Sequence, residues 1–364
     1  MKQFTLLAVL LPSLLVAALP RDVPHSVEGK DTAVDEGAPD VTVWVHHGQT
    51  LSVEPNHPTT TVDQEPTGDF SILPFPEIPG STDIVPNLAA DASIKVNANT
   101  KEVRHDTRAF GISYSPYNAD STCKNDAEVQ SDIDKLTHYA YVRIYGIDCD
   151  QTRKVVKAAR VHNLQVFAGV YDLANLHASL DVILTATRGD YSILHTISIG
   201  NELLNRGAGT VGAVTAAVGD ARAYLRSRGY GGPVVTVDTF NQLFAHPELC
   251  QVSDYCAANC HAFFDANLTP GNAGNYVRDI ARQLSAQAGG KLTIITETGW
   301  PHAGQPNGHA VPSPENHHRA IEALRQNFWG DNRNLVLFSA FDDYWKVDTE
   351  WTFGAEKFWG IEKR

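Results

Sequence analysis

Two stretches of the chain run as short apolar strands that end on a glutamate. In residues 291–301, K-L-T-I-I-T-E-T-G-W-P, the apolar and β-branched residues Leu292, Thr293, Ile294 and Ile295 lead to Glu297, and Gly299-Trp300-Pro301 stops the run. In residues 195–202, H-T-I-S-I-G-N-E, a second run ends on Glu202. Such runs predict buried strands that deliver a carboxylate where the backbone leaves the sheet. With six more runs of the same texture, strands are predicted over 109–114, 140–145, 165–171, 196–201, 234–239, 255–263, 292–297 and 335–341. Helical spacing, as in Val129, Ile133 and Leu136, predicts helices over 126–137, 152–162, 178–187, 211–228, 275–288 and 314–329. Ser313 and Pro314 fit the cap and first turn of the last of these. Only a short helix, 246–252, is predicted between the fifth and sixth strands.

Alternating strands and helices imply a parallel sheet, and eight units in about 255 residues fit the size of a (β/α)8 TIM barrel. A doubly wound sheet would carry a glycine-rich turn after its first strand, and Gly111-Ile112-Ser113-Tyr114 is not one. The fold class expected is therefore α/β, a barrel over residues 106–364.

The chain before it has a different texture. Lys2, the apolar run 4–19 and the small residues Val16-Ala17-Ala18 predict a secretory signal peptide over 1–19, cut near Ala18 to Pro20. Pro12 interrupts this run, which is short for a membrane span. The C-terminus, F-W-G-I-E-K-R, lacks the hydrophobic tail of a lipid-anchor signal, so no membrane anchor is expected. Ten of the nineteen prolines lie between Pro20 and Pro86 among Thr, Asp and Glu, which predicts a mostly disordered linker over 20–105. Residues 41–45 and 50–53 could pair as a hairpin within it. The expectation is a secreted protein of the extracellular space or cell wall.

A net charge of −13 argues against a nucleic-acid partner, which needs clustered Lys and Arg. The five cysteines suit an oxidising compartment. Cys256 and Cys260 share a predicted strand, which would part them by ~13 Å, beyond the roughly 7 Å that a disulfide spans between Cα atoms. The pairs expected are Cys123–Cys149 and Cys250–Cys256, with Cys260 buried and free. No Cys or His spacing suggests a metal site, and the adjacent pairs His46-His47 and His317-His318 read as solvated. No cofactor is expected, and a monomer is. Asn267-Leu268-Thr269 is the one glycosylation sequon.

At the open end of a barrel every strand terminus is a candidate for the site. The strand ends here carry Tyr114 and Tyr117, Arg143 and Tyr145, Tyr171 and Asp172, Asn201 and Glu202, Asp238 and Asn241, His261, Phe263 and Phe264, Glu297 and Trp300, and Asp342, Asp343, Trp345 and Lys346. Any one of these aromatics would ordinarily be core packing. So many together, with carboxylates and amides, suit a sugar, whose C–H faces stack on rings and whose hydroxyls bond to polar groups. Two glutamates at such a mouth can cleave a glycosidic bond, one protonating the leaving oxygen and the other attacking the anomeric carbon or activating water. There is no G-x-S-x-G elbow, P-loop or H-E-x-x-H helix.

At Ser198–Glu202 (S-I-G-N-E) and Ile295–Pro301 (I-T-E-T-G-W-P) the chain resembles glycoside hydrolase family 17, the β-1,3-glucanases, and within it the fungal secreted cell-wall branch. Phe110–Tyr117, Arg143–Cys149, Asn259–Phe264 and Phe338–Lys346 extend the resemblance over residues 106–361. It implies a retaining mechanism with Glu202 as acid/base and Glu297 as nucleophile. It also implies Asn201 on the hydroxyl beside the anomeric carbon, Tyr114 near the nucleophile, and Asp343 and Lys346 at the acidic and lysine positions after strand eight. His302, where the family carries a small hydroxyl or amide residue, and Asp343, where many relatives carry Glu, depart from the pattern. The function implied is endo-β-1,3-glucanase action on cell-wall glucan. Transfer of the glycosyl unit to another sugar, and glucan binding without turnover, are the alternatives; a β-1,4 specificity would rest on G-N-E alone.

Overall fold

The structure, a computed structural model, describes residues 41–46, 49–55, 109–171 and 173–363. The predicted signal peptide, most of the predicted linker, His47 and Asp172 lie outside the described residues. Val41–His46 and Gln49–Pro55 pair as a two-stranded sheet, close to the hairpin expected there.

Eight parallel strands close a barrel: β1 Gly111–Ser113, β2 Tyr141–Arg143, β3 Gln165–Val170, β4 Leu194–Asn201, β5 Val234–Thr239, β6 Cys256–Asn259, β7 Thr293–Thr298 and β8 Leu335–Leu337. Each pairs with the next and β8 returns to β1, so no edge is left open. Around them run α1 Asp126–Asp134, α2 Gln151–Val161, α3 Leu176–Thr187, α4 Val211–Ser227, α5 Phe240–Ala245, α6 Glu248–Val252, α7 Ala273–Gln287 and α8 Pro314–Asn327. Local chemistry sets the helix starts. Asn125 and Glu128 form a reciprocal capping box on α1, and Ser313 caps α8 just before Pro314.

Side-chain alternation along the strands builds two cores. Ile112, Val142, Val166, Ile197 and Ile295 pack outward beneath the helices. Tyr141, Phe167, Val235, Val237, Ala257, Ile294 and Val336 fill the barrel interior. Gly111 makes room for that filling, because a Cβ there would lie 2.4 Å from the ring of Tyr141. Tyr141 in turn donates its hydroxyl to the Arg333 carbonyl at 2.9 Å. The interior is thus a packed plug, and chemistry is confined to its rim.

The predicted sixth strand was too long. It ends at Asn259, and Ala262–Phe264 turns instead as a 3₁₀ helix. Two short helices, α5 and α6, replace the single one expected between the fifth and sixth strands. Among the described residues no helix is long and apolar enough to cross a membrane.

Candidate active site

Both carboxylate-bearing strands carry a β-bulge just before the glutamate. Between β4 and β5 the register moves from Ser198–Val235 to Asn201–Val237, three residues against two. Between β6 and β7 it moves from Ala258–Ile295 to Asn259–Glu297, one residue against two. Strict alternation would put Asn201 on the outward face with Ile199, and Glu297 with Ile295. One extra residue in each strand turns them to the barrel mouth. Gly200 permits the first turn with φ +82°, and a Cβ there would meet Leu203 at 2.4 Å. Glu202 itself sits in the left-handed region at φ +52°, held by its N–H to the Val237 carbonyl at 2.8 Å. Non-glycine residues in that region are uncommon and gather at functional sites.

Arg143, the last residue of β2, is buried and ties the two sides of the mouth together. Its Nη1 donates to Glu297 Oε1 at 2.5 Å, to the Thr296 carbonyl at 3.0 Å and to the Tyr145 hydroxyl at 3.2 Å. Its Nη2 donates to Asn201 Oδ1 at 2.8 Å, and its guanidinium lies 4.4 Å from the centre of the Tyr145 ring. His261 Nε2 approaches the other Glu297 oxygen at 3.3 Å. Its ring is edge-on to Phe338 and Trp359.

These contacts separate the two carboxylates chemically. Burial pushes Glu297 up, but the charge of Arg143 and the hydrogen bond and charge of His261 outweigh it and hold the carboxyl at about 2. Glu202 is half-buried. Its carboxyl is raised by desolvation and by the negative Glu297, partly offset by a hydrogen bond from Asn259. One group is therefore kept ionised and the other inclined to hold a proton, the division of labour that a paired-carboxylate hydrolysis needs. Burial, and after it the charge of Glu297, keep the Tyr145 hydroxyl protonated.

Rings and charges continue along the rim. Tyr117 donates to Asp148 Oδ2 at 2.7 Å and lies 4.8 Å from the Trp345 ring. Trp345 Nε1 donates to Asp343 Oδ1 at 3.1 Å. Lys346 Nζ stands 3.5 Å from Glu356, 3.9 Å from Asp343 and 4.5 Å over the Phe338 ring. The disulfide Cys123–Cys149, Cα atoms 5.3 Å apart, joins the loops after β1 and β2 beside Tyr117. Cys250–Cys256, 4.6 Å apart, ties α6 to β6, and Cys260 is free and buried. Asn267 is exposed in the loop beyond β6.

Three residues expected at the mouth lie elsewhere. Tyr114 is buried and gives its hydroxyl to Asp132 of α1 at 3.0 Å instead of standing by Glu297; Tyr145 occupies that place. Phe263 is fully buried, because the chain turns after Asn259 and drives its ring among Trp300, Phe353 and Trp359. Trp300 is fully buried too, with its indole N–H on the Val311 carbonyl at 3.1 Å, so neither ring can stack on a sugar. Nor is His317 simply solvated: its Nδ1 lies 2.5 Å from the Trp300 carbonyl. The departure at His302 has a local partner, Asp342, at 2.9 Å. Asn259 and Trp359 were missed, although Asn259 opens the quoted N-C-H-A-F-F motif. Among the described residues, no group of three or more His, Cys, Asp or Glu is placed to hold a metal.

A closed (β/α)8 barrel with two differently tuned glutamates at its mouth defines the class, a barrel of the glycoside hydrolase type. A family model, the BtgE/BtgC glycoside hydrolase domain, matches residues 111–360, and the chain belongs to that family. The chain is 40% identical over 256 residues to the cell surface mannoprotein MP65 of Candida albicans, covering 70% of this chain and 66% of that protein. It is 41% identical over 256 residues to the probable family 17 glucosidase SCW10 of Saccharomyces cerevisiae, covering 70% and 64%. The match thus spans just under two thirds of these relatives. A solved family 17 β-1,3-glucanosyltransferase from Rhizomucor miehei shares the fold, with TM-score 0.60 and 22% identity over 70% of this chain and 92% of that one.

Proposed function

We propose that the protein is a secreted, retaining glycosidase that cleaves β-1,3-glucan at the cell wall. The observation that carries this reading is the opposed tuning of Glu297 and Glu202 around Arg143. In the first step the Glu297 carboxylate attacks the anomeric carbon as the bond to the leaving sugar breaks. Glu202 gives its proton to the departing oxygen. In the second step Glu202 takes a proton from water, whose oxygen displaces Glu297 and frees the sugar with its configuration kept. Asn201 presents its amide oxygen to Arg143, which leaves its N–H groups for the hydroxyl beside the anomeric carbon. Tyr117 and Trp345 offer rings, and Asp343 and Lys346 polar groups, along the rim.

The cell-surface and glucosidase names of the relatives support a surface location and a glucoside substrate, and the glucanosyltransferase with the same fold supports a β-1,3-glucan. Residues 1–19 are assigned to a signal peptide, 20–105 to a linker and 106–364 to the hydrolase domain, with Asn267 as a glycan acceptor. A panel of β-1,3-, β-1,4- and β-1,6-glucans tests the reading, with products resolved by size and anomer. Shorter β-1,3 oligosaccharides with first-formed β anomers are expected. Products longer than the substrate would make transfer the main reaction, and tight glucan binding without any turnover would overturn the assignment.

A further inference from the structure

We infer that Asn259 and Thr296 form a positioning relay that fixes the orientation and proton affinity of Glu202. The inference rests on the acid/base reading of Glu202 above. Donor and acceptor logic forces the arrangement one group at a time. A guanidinium only donates, so Asn201 must turn its Oδ1 towards Arg143 Nη2, 2.8 Å away. Asn259 then faces two acceptors, that Oδ1 at 3.5 Å and Glu202 Oε1 at 2.8 Å, and must offer its Nδ2 to both. Its own Oδ1 is thereby pointed at the Thr296 hydroxyl, which donates to it at 2.8 Å. Asn259 and Thr296 are both buried, so a flipped amide would find no water to repair the mismatch.

The relay joins the adjacent strands β6 and β7 to β4, which lies beyond β5. Asn259 ends β6, Thr296 lies in β7 at the bulge beside Glu297, and Asn201 ends β4. The backbone carbonyl of Thr296 also accepts from Arg143 Nη1 at 3.0 Å. One residue therefore touches both halves of the carboxylate pair, its carbonyl through Arg143 to Glu297 and its hydroxyl through Asn259 to Glu202. The Asn205 amide, at 3.2 Å, holds the other Glu202 oxygen from the loop that Asp238 anchors through the N–H groups of Leu204 and Asn205. The charges that bear on Glu202 come from Glu297, Asp238, His261 and Arg143. Against that background the Asn259 N–H favours the charged form, so that Glu202 can give up its proton at the first step and recover one at the second.

The test reads Glu202 directly. The full chain is labelled with ¹³C at glutamate side-chain carboxyls, and the Glu202 resonance, assigned by its loss in E202Q, is titrated in wild type, N259A, T296V and T296S. Loss of the donor in N259A, or of the enforced amide orientation in T296V, is expected to move the Glu202 titration to higher pH. The alkaline limb of kcat/KM on β-1,3-glucan should move with it, and kcat should fall roughly ten-fold, the worth of one hydrogen bond to a charged group. T296S keeps the hydroxyl and should restore the wild-type titration. T296V matches threonine in shape and carries the test if N259A does not fold. An unchanged Glu202 titration in a folded N259A or T296V overturns the relay, whatever the activity. Absence of glucan turnover in the wild type would instead strike at the proposed function and leave the titration readable.

Discussion

Replacing Glu297 is expected to abolish turnover of β-1,3-glucan. E297Q keeps the shape and a partner for Arg143 but cannot attack the anomeric carbon, and the loss expected is on the order of 10⁴-fold or more. Thermal unfolding of E297Q should still be cooperative, because Arg143 retains an oxygen to bond to. E297A removes that partner and leaves a buried guanidinium uncompensated, which costs about 3–5 kcal/mol of stability. Azide should repair both defects. As an anion it can sit against Arg143, and as a nucleophile it can attack the anomeric carbon from the vacated side to give a glycosyl azide of inverted configuration. Activated aryl β-glucosides with and without azide, with products followed by NMR, check this. E297Q at wild-type rate would remove Glu297 from the chemistry.

The second large effect expected is at Arg143. In R143M the cation that holds Glu297 at about 2 is gone, while burial, which pushes the carboxyl up, stays. Glu297 must be ionised to attack, so the acid limb of kcat/KM should move to higher pH. The same change is expected to lower activity at the optimum roughly 10²–10³-fold, the rate equivalent of removing one partner of a buried pair. R143K should not rescue it. A lysine ammonium is a point charge and cannot reproduce the planar fork that reaches Glu297 with one nitrogen and Asn201 with the other. The sign is definite for stability as well. A carboxyl held below its ordinary range stabilises the fold above that range and loses the contribution as pH falls towards 2. R143M should therefore gain less stability than wild type as pH rises from that acidic end. A pH–rate profile and an acid unfolding series check the two limbs of this prediction, and an unmoved acid limb would contradict it.

The architecture was legible because eight apolar runs alternate with helix-spaced stretches, and because two of the runs end on Glu202 and Glu297. Strands buried on both faces read as near-continuous apolar runs, which carry that information. The bulges were not legible. One extra residue in β4 and one in β7 reverse the facing that alternation assigns to Asn201 and Glu297, and an inserted residue has no composition of its own. Trp300 and Phe263 read as sugar platforms because strand-end aromatics often are. Their burial depends on the turn at residues 262–264 and on Trp359, which lies far along the chain. Tyr114 was misplaced for a similar reason, since its partner Asp132 sits on the next helix. Asn259 was passed over because the predicted sixth strand ran on to 263, which placed this amide inside the strand and not at its end. Its meaning appears only when Arg143, Asn201, Thr296 and Glu202 surround it.

In the proposed reaction Glu297 becomes covalently bonded to the sugar. A 2-deoxy-2-fluoro β-glucosyl or β-laminaribiosyl donor with a good leaving group slows both steps, but the first less than the second, so the glycosyl-enzyme should accumulate. Mass spectrometry of the intact protein and of its peptides reads the result. One added fluoroglycosyl unit is expected, located on Glu297 within residues 291–301 and absent in E297Q. Glycosyl label on any other residue, or catalytic turnover of the donor with inverted product and no label, would contradict the covalent role of Glu297.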